Sequence, residues 1–440
     1  MRRAAASCSL AALLALAPAL ASAESVAQLR ELVQKGRAEQ AYAAGKRMAA
    51  TATDPEFSYY FGVAAIESGH AGEGVLALER YLARYPQDDR ARFDLGRGYY
   101  ALGDLLRARE AFETVLGHHP TRDRRATIER FLDAIQSQSS RRASASSAYV
   151  ELGAGADSNA VAATGATALD APLLDGLLPV AAGAKRGAGL LLAGAGARYA
   201  RSLDGALSLQ AGARYQGSYR LGSFDRQLDR EALGGYGELD LIDGRDLYRA
   251  RLSYSALSAD DARYRNLSAL GGEWRRQLDE LNSMSLYAQY ADLAYPASPV
   301  TDSNLYALGA GWRRAFVQRY LPVVEVEALY GREKSTASPV RDELSRNLYS
   351  LRARVSATPW PRWALSGGVS YTSSRYDAPD PALSATRGDD AYGLNAGLSY
   401  RWSQKLTLRA DLLYADNRSN LATYEYGRNL LSLRMRYDLR

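Results

Sequence analysis

From about residue 147 onward the chain alternates apolar and polar side chains with a period of two, and past residue 23 no stretch is long and apolar enough to cross a membrane as a helix. Residues 206–220 show the pattern best: Leu207, Leu209, Ala211, Ala213 and Tyr215 interleave with Ser208, Gln210, Gly212, Arg214 and Gln216. In an extended strand the two sets point to opposite faces. A sheet with one greasy and one polar face can set the first against lipid and keep the second wet. In a bilayer it must also close, because an open edge leaves backbone groups unpaired in hydrocarbon. The pattern therefore predicts a transmembrane β-barrel.

The alternation recurs near 147–157, 187–203, 206–220, 228–242, 246–258, 264–277, 283–295, 303–316, 321–334, 343–357, 362–375, 388–402, 405–417 and 426–439, about fourteen antiparallel strands in all. Asp204-Gly205, Asp243-Gly244, Asp279-Glu280, Gln318-Arg319, Trp360-Pro361 and Ser403-Gln404 are tight connections, and the intervening ones are mostly longer. Short turns belong on the periplasmic side of an outer-membrane barrel. The first long connection, about 158–186, follows the first strand, so everything before that strand is expected in the periplasm. Tyr199, Tyr215, Tyr254, Trp274, Trp312, Tyr330, Tyr371, Tyr400, Tyr414 and Tyr437 lie on the apolar register as interface girdles facing outer-membrane lipid.

On the opposite register, Arg214, Arg230, Arg249, Arg251, Arg313, Glu325, Glu327, Arg352, Arg354, Arg409 and Arg434 are expected to line the lumen. They can brace the wall as cross-strand pairs or act on whatever passes, and an open lumen with this arginine excess favours anions.

Met1, Arg2 and Arg3, the apolar run Leu10–Leu20 and the small-residue site Ala21-Ser22-Ala23 read as a signal peptide over 1–23. Cys8, the only cysteine, precedes that run, so the mature chain is expected to have neither a disulfide nor a thiolate metal site. The histidines (His70, His118, His119) all precede the barrel, and no Gly-x-Ser-x-Gly elbow is present. Glu325 and Glu327 share a strand face, and their arginine neighbours are expected to engage them as ion pairs. No enzyme, metal or cofactor is expected. The net charge of +6 is spread over alternate strand positions and not clustered, which argues against nucleic acid as a partner.

Between leader and barrel, Gly62 and Gly96, Gly69 and Gly103, and Pro86 and Pro120 recur at the tetratricopeptide period of 34 residues. Leu95-Gly96, Tyr99, Gly103, Ala108, Phe112 and Pro120 fill the large, small and terminating positions of the better unit. A degenerate unit spans 25–54, and 127–135 reads as a capping helix. First helices of such units line a concave groove, which makes Tyr59, Glu67, Phe93, Arg97 and Tyr100 candidates for partner contacts, although Phe93 and Tyr100 equally suit packing between repeats.

The fold class is thus α+β multidomain: signal peptide 1–23, an all-α solenoid over 24–136, an aperiodic linker over 137–146, and the barrel over 147–440. At the opening of the barrel, Gly153-Ala154-Gly155-Ala156-Asp157-Ser158-Asn159 looks like the Gly-x-Gly-x-Asp-Ser-Asn segment of the surface lipoprotein assembly modulators, the Slam proteins of type XI secretion. The order of leader, short repeat domain and fourteen-strand barrel resembles that family too. Ala156 stands where the family often has an aromatic, and the chain ends in Leu439-Arg440 without a terminal aromatic. The resemblance implies an exporter that passes a secreted or lipidated cargo protein to the cell surface while the repeats recruit cargo or a periplasmic chaperone. A polysaccharide exporter and a passive porin are the alternatives.

Overall fold

The computed structural model describes residues 25–49, 54–143, 146–159, 187–221, 229–260 and 262–439; the expected signal peptide and most of the first long connection lie outside them. The described helices are α1 Val26–Gln34, α2 Ala38–Met48, α3 Pro55–Glu67, α4 Ala71–Arg84, α5 Asp89–Ala101, α6 Leu105–Gly117 and α7 Arg122–Ala143. Four of them start where a short polar side chain, Ser25, Asp54, Asp88 or Asp104, accepts from a first-turn N–H. Three end on a glycine in the left-handed region: Gly36, Gly69 and Gly103, at φ +69, +87 and +76°. The residue after each glycine donates back to Leu32, Ala65 or Tyr99 at 3.0, 2.8 and 2.9 Å, which closes the helix and reverses the chain.

The 34-residue period therefore marks turning points between antiparallel helices, and three hairpins stack with α7 as the cap. Leu29, Ile66, Leu78, Phe112, Phe131 and Ile135 are fully buried in their shared core. The segment expected as a linker is instead helical through Ala143. Its Arg, Ala and Gln content suits a helix, and Gln138 Nε2 donates to Tyr100 Oη at 3.3 Å, which ties the extension to α5.

The strands are β1 Ser146–Asp157, β2 Ala188–Ser202, β3 Leu207–Leu221, β4 Arg230–Asp243, β5 Asp246–Ala259, β6 Ala262–Gln277, β7 Asn282–Ala294, β8 Ser303–Ala315, β9 Val323–Ser335, β10 Arg346–Ala357, β11 Trp363–Asp380, β12 Ala385–Arg401, β13 Leu406–Ser419 and β14 Tyr426–Leu439. Each pairs antiparallel with its sequence neighbours, and β14 returns to β1 with Ala148 opposite Leu439 and Asp157 opposite Leu430, so the barrel is closed.

Leu152, Leu252, Leu308, Leu351 and Leu433 are exposed on the outer register. A band of that extent around a whole barrel is far beyond the apolar patch a soluble monomer tolerates, and it fits lipid. Outward aromatic pairs, Tyr290–Tyr306, Tyr330–Tyr349 and Tyr371–Tyr392, meet at a tilt across strands with ring centres 5.2–5.3 Å apart.

Two features depart from the alternation argument. At the end of the barrel away from the helices, β5 ends at Ala259 only three positions before β6 begins at Ala262, and β11 and β12 run on into a hairpin closed by 381–384, so these two connections are as short as those at the helical end. Nor is the inner register polar throughout: Leu267, Leu293, Leu305 and Leu348 are buried in one cluster with Tyr287 on β6–β10. Tyr287 lies over Gly309, so an aromatic ring fills the space the glycine leaves on the inner wall.

Candidate functional site

The helical domain sits on the barrel, and the contact is specific. At that end the strands are joined by 203–206, 244–245, 278–281, 316–322, 358–362 and 402–405. The longest of these, 316–322 between β8 and β9, enters the groove of the helices. Val317 is buried in the helical core together with Leu281 of the β6–β7 turn, and Leu321 packs against the same cluster. Leu321 does so at φ +46°, a conformation that a branched side chain adopts only under constraint.

Arg97, on α5, is the centre of the contact. Its Nε donates to the Val317 carbonyl at 2.8 Å, Nη1 to Asp94 Oδ1 at 2.7 Å, and Nη2 to Glu67 Oε1 at 2.5 Å. Burial alone would depress the guanidinium pKa, but the two carboxylates outweigh it and the value is raised, so Arg97 stays charged. Tyr59 Oη donates to the other oxygen of Asp94 at 2.8 Å; burial, then that carboxylate, push the phenol upward. Of the five groove residues expected from sequence, Tyr59, Glu67 and Arg97 thus form one network, and its ligand in this structure is the chain's own turn. Phe93 and Tyr100 pack on Phe131 of α7 with ring centres 6.1 and 5.4 Å apart, the inter-repeat role.

Arg130, on α7, is a residue that periodicity missed: its Nη1 donates to the Arg319 carbonyl at 3.0 Å, and its guanidinium lies 5.5 Å from the Tyr320 ring. Nothing local marks it, since its partner is 189 residues away. Around these contacts runs a set of ion pairs, helical carboxylate to barrel arginine: Glu39–Arg314 at 2.7 Å, Asp123–Arg319 at 3.7 Å and Asp133–Arg401 at 3.7 Å. Asp133 also accepts the Arg362 N–H at 2.9 Å. Burying an aliphatic side chain contributes about 1.5–3 kcal/mol, whereas an exposed pair contributes about 0–1 kcal/mol. Val317, Leu281 and Leu321 therefore hold the domain, and the rim pairs orient it.

Inside the barrel most of the expected lumen charges meet across strands. Arg249 contacts Asp240 at 2.8 Å and Glu273 at 3.4 Å, Arg251 contacts Glu238 at 3.2 Å, and Arg434 contacts Glu151 at 3.2 Å. Arg313 and Arg354 both reach Glu325 at 3.3 Å, Arg354 also reaches Glu327 at 2.8 Å, and Arg409 pairs with Asp411 at 2.8 Å. Arg214 and Arg352 occupy the same register, and Arg230 donates to the Asp229 carbonyl at 2.9 Å. The wall is a lattice of paired charges that brace neighbouring strands.

The segment Gly153, Gly155, Asp157, Ser158 and Asn159 forms a clasp on the seam between first and last strands. Asp157 takes Arg428 of β14 with Nη2 at 2.9 Å and Nε at 3.2 Å, both side chains buried. Ser158 Oγ accepts the Asn429 N–H at 2.8 Å, and Asn159 Nδ2 donates to the Gly427 carbonyl at 3.2 Å. A Cβ on Gly155 would lie 2.6 Å from the Leu431 carbonyl, so glycine lets β14 approach.

These features define a closed membrane barrel that carries its own docked helical-repeat domain. No protein-family model and no curated protein matches the chain. Among solved structures, the helical part is similar to MamA (20% identity, TM-score 0.24), over 27% of this chain and 67% of that one. The barrel is similar to a loop-L8 deletion mutant of OmpT, an outer membrane protein of Vibrio cholerae (10% identity, TM-score 0.35), over 67% of this chain and all of that one. OmpT folded in vitro matches to the same degree, over 99% of its length. Both likenesses are distant, and the architecture rests on the chain's own elements.

Proposed function

We propose that the chain is an outer-membrane translocator, a conduit and not an enzyme, that passes a partner protein to the cell surface, with the helical domain in the periplasm gathering cargo or its chaperone at the barrel mouth. The observation that carries this reading is the seating of a peptide-sized groove directly on the turn end of the barrel, through Arg97, Arg130, Val317 and Leu321. A groove held there raises the local concentration of whatever it binds at the entrance. The paired charges of the inner wall and the resemblance to the surface lipoprotein assembly modulators support the same reading.

The test is surface display. Removing 25–143 while keeping 1–24 leaves the strands intact and abolishes protease-accessible cargo on whole cells. Undiminished display would refute a recruiting role, and export of polysaccharide in place of protein would refute the cargo class.

A further inference from the structure

We propose that the groove of α3, α5 and α7 is a peptide site shaped for a reverse turn, which the β8–β9 turn occupies in cis, and that a competing partner segment must displace this turn to bind. The inference rests on the translocator reading only for its biological role; the occupancy stands on the geometry. Joining β8 to β9 needs no more than the two residues, 244–245, that join β4 to β5, yet the chain spends 316–322 there. The surplus is inserted among the helices: Val317 is buried, and Leu321 is held at φ +46°.

The groove reads main chain. Arg97 takes the carbonyl of Val317 and Arg130 that of Arg319, both presented by a turn that the Leu321 N–H closes on the Gln318 carbonyl at 3.0 Å, while side-chain selectivity comes from the Val317 and Leu321 sites and from the Arg130 face over Tyr320. Asp123 near Arg319 adds a preference for a basic residue. The partner is therefore a protein segment with the spacing aliphatic–x–basic–aromatic–aliphatic of Val317, Arg319, Tyr320 and Leu321. Displacement is coupled to the barrel, because the Tyr320 carbonyl also accepts the Thr358 N–H of the β10–β11 turn at 2.7 Å.

The probe is a fluorescein-labelled peptide in which Phe-Val-Gln-Arg-Tyr-Leu-Pro is closed into a loop by a disulfide between flanking cysteines, because the Phe316 N–H meets the Pro322 carbonyl at 2.9 Å in the turn; it is followed by polarisation with the full chain in detergent micelles. Replacing 316–322 with Asn-Gly vacates the groove, and peptide affinity is expected to rise about tenfold or more over the wild type, whose turn competes at high effective concentration. Adding Arg97→Lys, which cannot serve Val317, Asp94 and Glu67 together, is expected to remove about tenfold of that affinity. Val317→Asp keeps the turn length and expels the turn, so it gives the same gain if the shortened barrel does not insert. Equal binding by wild type and by variants whose barrels retain heat-modifiable mobility, no binding by those variants, or indifference to Arg97→Lys would each overturn the proposal. Peptide capture with unchanged cargo display would leave the self-ligand standing and overturn the recruiting role.

Discussion

Replacing Asp157 with alanine tests whether the polar triplet at the end of β1 closes the barrel. The carboxylate makes three contacts of 2.9–3.2 Å with Arg428 and accepts the Asn159 N–H at 2.9 Å, with both charged side chains out of solvent. Truncating one member of such a pair leaves a buried guanidinium unpaired, at a cost of about 3–5 kcal/mol, and the lost acceptor for Asn159 adds roughly 1 kcal/mol. With a urea dependence of about 2–3 kcal/mol per molar, a loss near 4 kcal/mol lowers the unfolding midpoint by roughly 1–2 M. The assay is urea unfolding of the detergent-solubilised chain, read from the heat-modifiable mobility of the barrel. The second half of the cycle is decisive: Asp157→Ala with Arg428→Met removes both charges and is expected to regain most of the loss. A single-variant midpoint within about 0.3 M of wild type, or a double variant worse than either single, would refute the clasp.

Three further outcomes follow from the helical domain and its seat. Gly69→Ala forces a side chain into φ +87° against Asp279 of the β6–β7 turn, costs about 1–2 kcal/mol, and is expected to speed proteolysis of 278–281; an unchanged cleavage rate counts against that contact. Burial raises the Asp88 pKa, but the Ala91 N–H, the Tyr81 hydroxyl and Arg90 outweigh it and hold the value below its ordinary 3.8. A depressed carboxylate contributes stability above its unfolded pKa and loses it as pH falls through the folded one, so Asp88→Asn keeps the cap near neutrality and flattens the acid limb below 3.8 in helical thermal melts. Gln138→Pro interrupts α7 at a cost of about 3 kcal/mol or more and is expected to loosen the domain while the barrel keeps its heat-modifiable mobility; a domain as protease-resistant as wild type would show that α7 past residue 138 carries no structural role.

How much of this was legible depends on whether the cause is local. Strand positions and facing were readable because a period of two is written in each segment: Leu207 to Tyr215 alternates in the sequence as it does on the wall. The helical turning points were readable because Gly69 and Gly103 are required by their own backbone angles. Arg130 and the β8–β9 turn were not, since each gains meaning only from a partner far along the chain. Residues 137–143 read as a linker because serine and arginine carry no hydrophobic period, yet packing of the preceding turns lets the helix propagate through them. The inner cluster of Leu293, Leu305 and Leu348 escaped notice because a period of two separates the faces of a strand without making the inner one polar throughout: Leu305 shares its register with Arg313, which alternation had placed in the lumen.

The position of the docked domain around the ring sets the groove apart from the seam. Its contacts fall on the β6–β7, β8–β9 and β10–β11 turns and on Arg401 at the end of β12, a sector of the closed ring from β6 to β12, whereas the seam lies between β14 and β1. Helix α7, 22 residues and so about 33 Å long, makes several of these contacts, with Arg130 on the β8–β9 turn and Asp133 on Arg362 and Arg401, and it ends at Ala143, three residues before β1 begins at Ser146. The far end of that same strand is fixed to β14 by Asp157, Ser158 and Asn159. β1 thus follows the docked helical domain in sequence at one end and carries the clasp to β14 at the other, so the strand that closes the seam is also the one on which the two halves of the chain meet.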